Sequence, residues 1–164
     1  MERVEREIVD LLPRLRRLAR ALARDAADAD DLTQITVERA LARRGQWVPG
    51  TRLDSWMFRI MKNAWIDESR ARSRRGAVLL PEEAGERAGE DGEARMAERL
   101  AAREVEAAMA RLPEDQRLAV ALVLVEGLSY KDAAEVLEVP QGTLTSRLVR
   151  GRAALLAGLQ GAGA

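Results

Sequence analysis

The chemistry open to this chain is set first by what it lacks. Its 164 residues contain no His and no Cys. Most zinc sites and most nucleophile–base constellations are therefore unavailable, and disulfides and thiolate metal sites are excluded. The tight acidic cluster Asp28, Asp30 and Asp31 could suggest a carboxylate nuclease. It sits where a helix N-terminus favours anions, and no other ligand type supports a metal there. No catalytic residue, metal or cofactor is expected, and the chain is not expected to be an enzyme. The residue pattern that does suggest chemistry is one of arginines with aromatic rings. Trp47, Trp56, Phe58 and Trp65, four of the five aromatics, lie beside the densest basic run, Arg70, Arg72, Arg74 and Arg75. Bases stack on rings while cations follow phosphates, so this combination suits single-stranded nucleic acid.

Each ring also has a plainer reading. Trp56 falls on the apolar face of its helix and is expected in the core. Phe58 and Trp65, seven residues apart on the other side, could pack on a neighbouring helix or face DNA. Trp47, in a Gly/Pro loop, is expected to be exposed.

The charge is uneven. The chain is neutral overall, with 27 basic and 27 acidic side chains. Residues 1–80 hold 17 basic and 12 acidic groups, residues 81–110 hold 4 and 9, and residues 111–164 hold 6 of each. A basic front half is thus offset by an acidic middle. Apolar residues make up 47% and aromatics only 3%. Ala, Leu, Arg and Glu dominate, which favours an all-α protein. No apolar run reaches membrane-spanning length and the N-terminus lacks a signal peptide's apolar region, so a soluble cytoplasmic protein is expected.

The elements that position these residues can be read from periodicity. Apolar residues at 4, 8, 11, 15, 18 and 22 predict an amphipathic helix, with a kink or restart at Pro13. A second helix is expected from near Asp28. On it Asp31, Gln34 and Glu38 share one stripe, which is either a solvated face or a docking face for a protein. Arg44 to Arg52 reads as a loop marked by Gly45, Pro49 and Gly50. Thr51 and Asp54 suggest a capping box for a long third helix, whose outer side carries Arg59, Lys62 and Arg70. Residues 76–93 lack helical periodicity and are rich in Gly and Glu, as a flexible acidic linker would be. The linker either tethers or lies over a basic groove until DNA displaces it. Its apolar island, Val78 to Pro81, could dock somewhere. Helices resume from Ala94, with Met96, Leu100, Val105, Ala108, Met109 and Leu112 on one apolar face. Pro113 opens the next helix and Gly127 ends it.

Leu128 to Leu156 reads as two helices and a tight turn. Ser129 and Asp132 make a capping box, and Glu138-Val139-Pro140 breaks the pattern. The last helix buries Leu144, Leu148, Gly151 and Leu155 and presents Thr143, Ser146, Arg147 and Arg150. Such a pair is either a structural hairpin or a DNA-reading helix-turn-helix.

Taken together, these segments resemble a known family. LPEDQRLAVALVLVEGLSYKDAAEVLEVPQGTLTSRLVRGRAAL resembles region four of bacterial sigma factors of the extracytoplasmic-function (ECF) group. DADDLTQITVERALAR followed by TRLDSWMFRIMKNAWIDESRARSRR resembles their region two. The resemblance implies two small helical-bundle domains: region two at 1–75, a linker at 76–93, and region four at 94–164, ending in the helix-turn-helix. It implies a transcription initiation factor that binds core RNA polymerase, through the β′ clamp helices and the β flap, and directs it to promoter DNA. Asp31 and Gln34, with Glu38 on their stripe, match the polymerase-docking helix. Trp56, Ile60, Asn63, Asp67 and Arg70 match the pattern of the minus-ten helix. Gln46, Trp47, Arg59, Lys62, Asn63, Asp67 and Arg70 are therefore the expected minus-ten residues, with the Gln46-Trp47 loop holding a flipped base. Thr143, Ser146, Arg147 and Arg150 match the positions facing the minus-thirty-five element. Ile35 stands where the family often has an acidic residue, Thr145 where a basic one is common, and Gly151 where Ala is common. With few phosphate contacts, region four should bind DNA weakly by itself. The resemblance further implies an anti-sigma factor as partner, no membrane insertion, and a monomer when free. The alternative is a sigma mimic, a decoy that binds an anti-sigma factor without binding DNA.

Overall fold

The structure, a computed structural model, describes residues 3–75 and 93–162. The linker and its apolar island lie outside the described residues, except that Glu93 already belongs to the following helix.

The described residues form eight α-helices and no strand, in two helical domains. Pro13 divides the first amphipathic stretch as expected. α1 spans Arg3–Asp10 and α2 spans Leu12–Leu22, with Pro in the first turn of α2. Having no N–H, Pro13 cannot continue the ladder of α1, but it is accommodated where amides have no helical partner. Ile8, Leu15, Leu18 and Leu22 fill the core. α3 spans Ala26–Ala42 and begins earlier than the acidic cluster suggests. Asp25 is the N-cap, and its Oδ1 accepts the Asp28 N–H at 2.8 Å. On the buried side of α3, Thr33 and Thr36 donate their hydroxyls to the carbonyls of Ala29 and Leu32. That satisfies both polar groups inside the core.

A 3₁₀ turn at Arg44–Gln46 leads to α4, Leu53–Arg74. The expected capping box does not form. Arg52 is the N-cap, Thr51 Oγ1 donates back to Val48 O at 2.6 Å, and Asp54 is taken up by two arginines. α2, α3 and α4 pack together around Met57, Phe58, Met61 and Trp65. Phe58 and Trp65 are thus core residues. Trp56, expected in the core, is only half-buried.

In the second domain α5 spans Glu93–Ala110. Its expected apolar face is buried only at its C-terminal end, by Ala108 and Met109, with Leu112 just beyond. Met96, Leu100 and Val105 are exposed, because the packing of α5 on α2 and α8 leaves that half of the helix uncovered. α6, Glu114–Val120, runs into a π-helical turn at Ala121–Val125. There the Glu126 N–H bonds to Ala121 O, five residues back. Gly127, at φ 72°, then ends the helix. α7, Tyr130–Leu137, starts at the expected Ser129 cap, whose Oγ accepts the Asp132 N–H at 3.0 Å. It closes at Glu138 in the left-handed region, φ 58°. α8 spans Gln141–Ala162 and packs on α6, α7 and α5.

One continuous apolar core runs through both domains. α2 lies against the π turn, and α4 lies against α7.

Candidate nucleic-acid interface

The first candidate surface is the outer stripe of α3. Asp31, Gln34, Ile35 and Glu38 are all exposed, while Leu32, Thr33, Thr36 and Ala40 face the core. Gln34 Nε2 donates to Glu38 Oε1 at 3.1 Å, which holds two of the three expected docking residues together. Ile35, 38% exposed, is the apolar centre of an otherwise polar stripe.

The second surface lies along α4. Arg59, Asn63, Asp67 and Arg70 are exposed on one side of it. Asp67 is paired with Arg39 of α3 at 3.6 Å. Lys62 shares that side but is buried, at 5% exposure, with its Nζ 3.4 Å from Glu138 Oε2. Arg59 leans the same way: its Nη2 donates to Glu135 O at 2.9 Å and its Nε is 4.0 Å from Glu138 Oε1. The Gln46-Trp47 loop precedes the N-terminus of α4. Gln46 is exposed. Trp47 is half-buried against the core rather than exposed as its loop position suggested, and its indole N–H is shielded with no partner. It lines a hollow with Val4, Leu11 and Leu53.

Thr143, Ser146, Arg147 and Arg150 follow one another along the outward side of α8. Ser146 and Arg150 are exposed, and Thr143 and Arg147 are partly so. Arg147 Nε is 3.5 Å from Asp115 Oδ2. Thr145 donates its hydroxyl to Gln141 O at 3.0 Å, so it serves its own helix. α7 stands between α4 and α8 and packs on both. Among the expected minus-ten residues, Arg59 and Lys62 reach the turn that precedes α8, at Glu138.

The residues that join the domains escaped the sequence reading. Glu126, whose side chain is fully buried, accepts from Arg17 at 2.7 and 3.1 Å and from Arg14 at 3.4 Å. Its hydrogen bond and negative charge raise the Arg17 pKa. Arg52 pairs with Asp132 of α7 and with Asp54, 2.7 Å away. Burial pushes the Asp54 carboxyl up. Hydrogen bonds from Arg52, the Ser55 N–H and Arg14, with the charge of Arg52, outweigh it and hold the pKa below its ordinary value. Arg117 donates to the carbonyls of Leu22, Ala110 and Leu112 and lies over the Trp65 ring, 5.6 Å from its centroid. It thereby ties the end of α2 to the end of α5 beneath α4, and its burial lowers its pKa. Two signals in the sequence pointed weakly at this seam. Glu126 is an acid at a helix C-terminus, where the dipole disfavours it. Glu138 stands where a turn needs φ > 0, which glycine normally supplies.

Comparison with known proteins bears on both halves. Residues 102–155 match the family model described as Sigma-70, region 4. Residues 8–62 match the model of the Sigma2 domain of PhyR. The chain is 37% identical to the ECF RNA polymerase sigma factor EcfG of Rhodopseudomonas palustris, over 92% of this chain and 82% of that protein. It is 38% identical to SigE of Mycolicibacterium smegmatis, over 85% of this chain and 54% of that longer protein. Among solved structures, the sigma factor RpoE of Bartonella quintana, crystallised in complex with the anti-sigma factor NepR, superposes with a TM-score of 0.83. It is 29% identical, and the match covers 98% of each chain.

Proposed function

This chain belongs to the extracytoplasmic-function group of RNA polymerase sigma factors and is a transcription initiation factor; we propose that α3 docks it on core polymerase while α4 and α8 read the promoter. In this reading residues 1–75 are region two, 76–93 the linker and 94–164 region four. Asp31, Gln34 and Glu38 meet the β′ clamp helices. Gln46, Trp47, Arg59, Lys62, Asn63, Asp67 and Arg70 contact the minus-ten strand, and Thr143, Ser146, Arg147 and Arg150 enter the major groove of the minus-thirty-five element. Region four also rests on the β flap. The chain would act in the cytoplasm, where polymerase is, and nucleotidyl transfer would belong to the core enzyme.

The observation that carries this reading is the outer side of α4. Asn63 and Arg70 keep exposed hydrogen-bonding groups there, beside Asp67, which pairs with Arg39 of α3. Opening a base pair costs a few kcal/mol and must be offset by new stacking and hydrogen bonds. Trp47→Ala and Asn63→Ala are therefore expected to lower open-complex formation, measured by permanganate reactivity of the melted strand, by about tenfold or more. Both should leave affinity for core polymerase unchanged. Equal loss of both activities would contradict these roles.

An anti-sigma factor is the expected regulator, by analogy with the Bartonella protein's complex. The decoy alternative keeps one supporting observation, that Lys62 is buried and paired. A decoy would bind an anti-sigma factor without binding core polymerase, so a pull-down with core separates the two readings.

A further inference from the structure

Val48, in the loop between α3 and α4, is 61% exposed. A lone apolar side chain on a protein surface is ordinary. Val48 differs in how firmly it is held out. It begins a tight turn, Val48-Pro49-Gly50-Thr51, closed by the Thr51 N–H on Val48 O at 3.1 Å. Pro49 takes the second position, where its ring fixes φ in advance. Gly50, at φ 91°, takes the third, where a type II turn requires a positive φ. Thr51 Oγ1 donates to the same carbonyl at 2.6 Å, so the turn is closed twice. On the other side of Val48, the Trp47 N–H bonds to Arg44 O and the Trp47 ring packs against the core. Val48 thus stands between an anchored residue and a stiff turn, and its β-branched side chain has little rotamer freedom of its own. The loop holds an apolar group out in water at a fixed place.

We propose that Val48 is a wedge for the opened minus-ten segment: its isopropyl group covers the face of the base that is left bare when a neighbouring base leaves the stack. This rests on the minus-ten role of the loop given above and adds the residue that keeps the stack open. Gln46, two residues away and also exposed, ends in hydrogen-bonding groups. Such a side chain can recognise an extruded base, but it does little for the bare face that remains, which is apolar and wet. An apolar group removes that face from water and needs no hydrogen-bond partner. Apolar side chains inserted at a base step hold unstacked duplexes in this way. Stiffness serves the same end, because a group already fixed in place loses little freedom on insertion. The two residues therefore divide the work. Gln46 reads the extruded base, whereas Val48 reads no sequence and acts on the opening step alone. Once the strands are apart, the wedge is not needed.

That division sets the test. A promoter fragment that the full chain transcribes with core polymerase is prepared in two forms, fully paired and with the minus-ten segment unpaired beforehand by mismatches. The rate of short-transcript synthesis is measured on both for the parent chain, Val48→Ala, Val48→Ile and Gln46→Ala. Val48 is exposed, so the fold tolerates its replacement. The wedge predicts that Val48→Ala lowers synthesis by about tenfold on the paired fragment and leaves it at the parent's rate on the unpaired one. Val48→Ile, which keeps a branched apolar group, should match the parent on both, and Gln46→Ala should lose activity on both. Full activity of Val48→Ala on the paired fragment would overturn the wedge. So would an equal loss on the two fragments, which would make Val48 a reader of the base. Neither result touches the promoter reading, because the parent chain transcribes in both arms. A parent chain that transcribes no fragment would fault that reading, and the wedge with it.

Discussion

Asp54 shows how one carboxylate can be committed to the fold. At 8% exposure it is held by Arg14 at 3.0 Å, by Arg52 and by the Ser55 N–H. A buried anion is tolerated only with such partners, and removing one side of a buried pair costs about 3–5 kcal/mol. The folded pKa lies below the ordinary 3.8. The stabilisation is therefore present above that value and is lost as pH falls through the folded pKa. Asp54→Asn should lower the unfolding free energy by about 3 kcal/mol near pH 7, with the difference shrinking below about pH 4. Denaturant titrations at several pH values check this, and a difference independent of pH would contradict it. The sequence suggested a capping role for Asp54 because Thr51 stands three residues before it. Spacing cannot register that Arg14, forty residues away in the chain, competes for the same oxygens. Trp56 was misjudged, and Phe58 and Trp65 were left open between core and DNA, for a related reason. α4 is covered on two sides, by α2 and α3 and by α7, so a single apolar stripe does not describe its buried surface.

At the scale of elements, α8 owes its close approach to α6 to Gly151. A Cβ there would stand 2.8 Å from Val120 Cγ2 and 3.2 Å from the Gln116 carbonyl oxygen. Val120 is 1% exposed, so it has little room to yield. Alanine would gain about 1 kcal/mol of helix propensity, against about 1–3 kcal/mol for overpacking. Gly151→Ala is expected to destabilise by up to about 2 kcal/mol, and Val120→Ala in the same chain to cost less than the two changes separately. Urea midpoints of the three variants decide the matter, and additive costs would mean that the two residues do not meet. This also explains why glycine stands where alanine is common in the family. The helices themselves were legible because their signals are local: Pro13 restarts a helix, Ser129 caps one, and Gly127 ends one. The π turn at Ala121–Val125 left no such mark, since an apolar run reads alike with either hydrogen-bond register.

At the scale of the molecule, the candidate surfaces on α3 and α8 could be read from the sequence because each lies on one helix. Asp31, Gln34 and Glu38 do share an exposed stripe, as their spacing requires, and Thr143, Ser146, Arg147 and Arg150 follow one side of α8. The seam that masks Lys62 could not be read. It joins Arg17 to Glu126 and Lys62 to Glu138 across separations of 109 and 76 residues, and each pair depends on how whole helices settle. Across that seam, acids of the second domain pair with cations of the first. No helix among the described residues is long and apolar enough to cross a membrane. A chain that starts transcription by bringing core polymerase to particular promoters is tested by run-off transcription with purified chain and bacterial core polymerase on genomic templates, followed by sequencing of the transcript 5′ ends. Discrete start sites that share upstream elements and vanish when the chain is omitted are expected. Transcripts no different from those of core polymerase alone would contradict it.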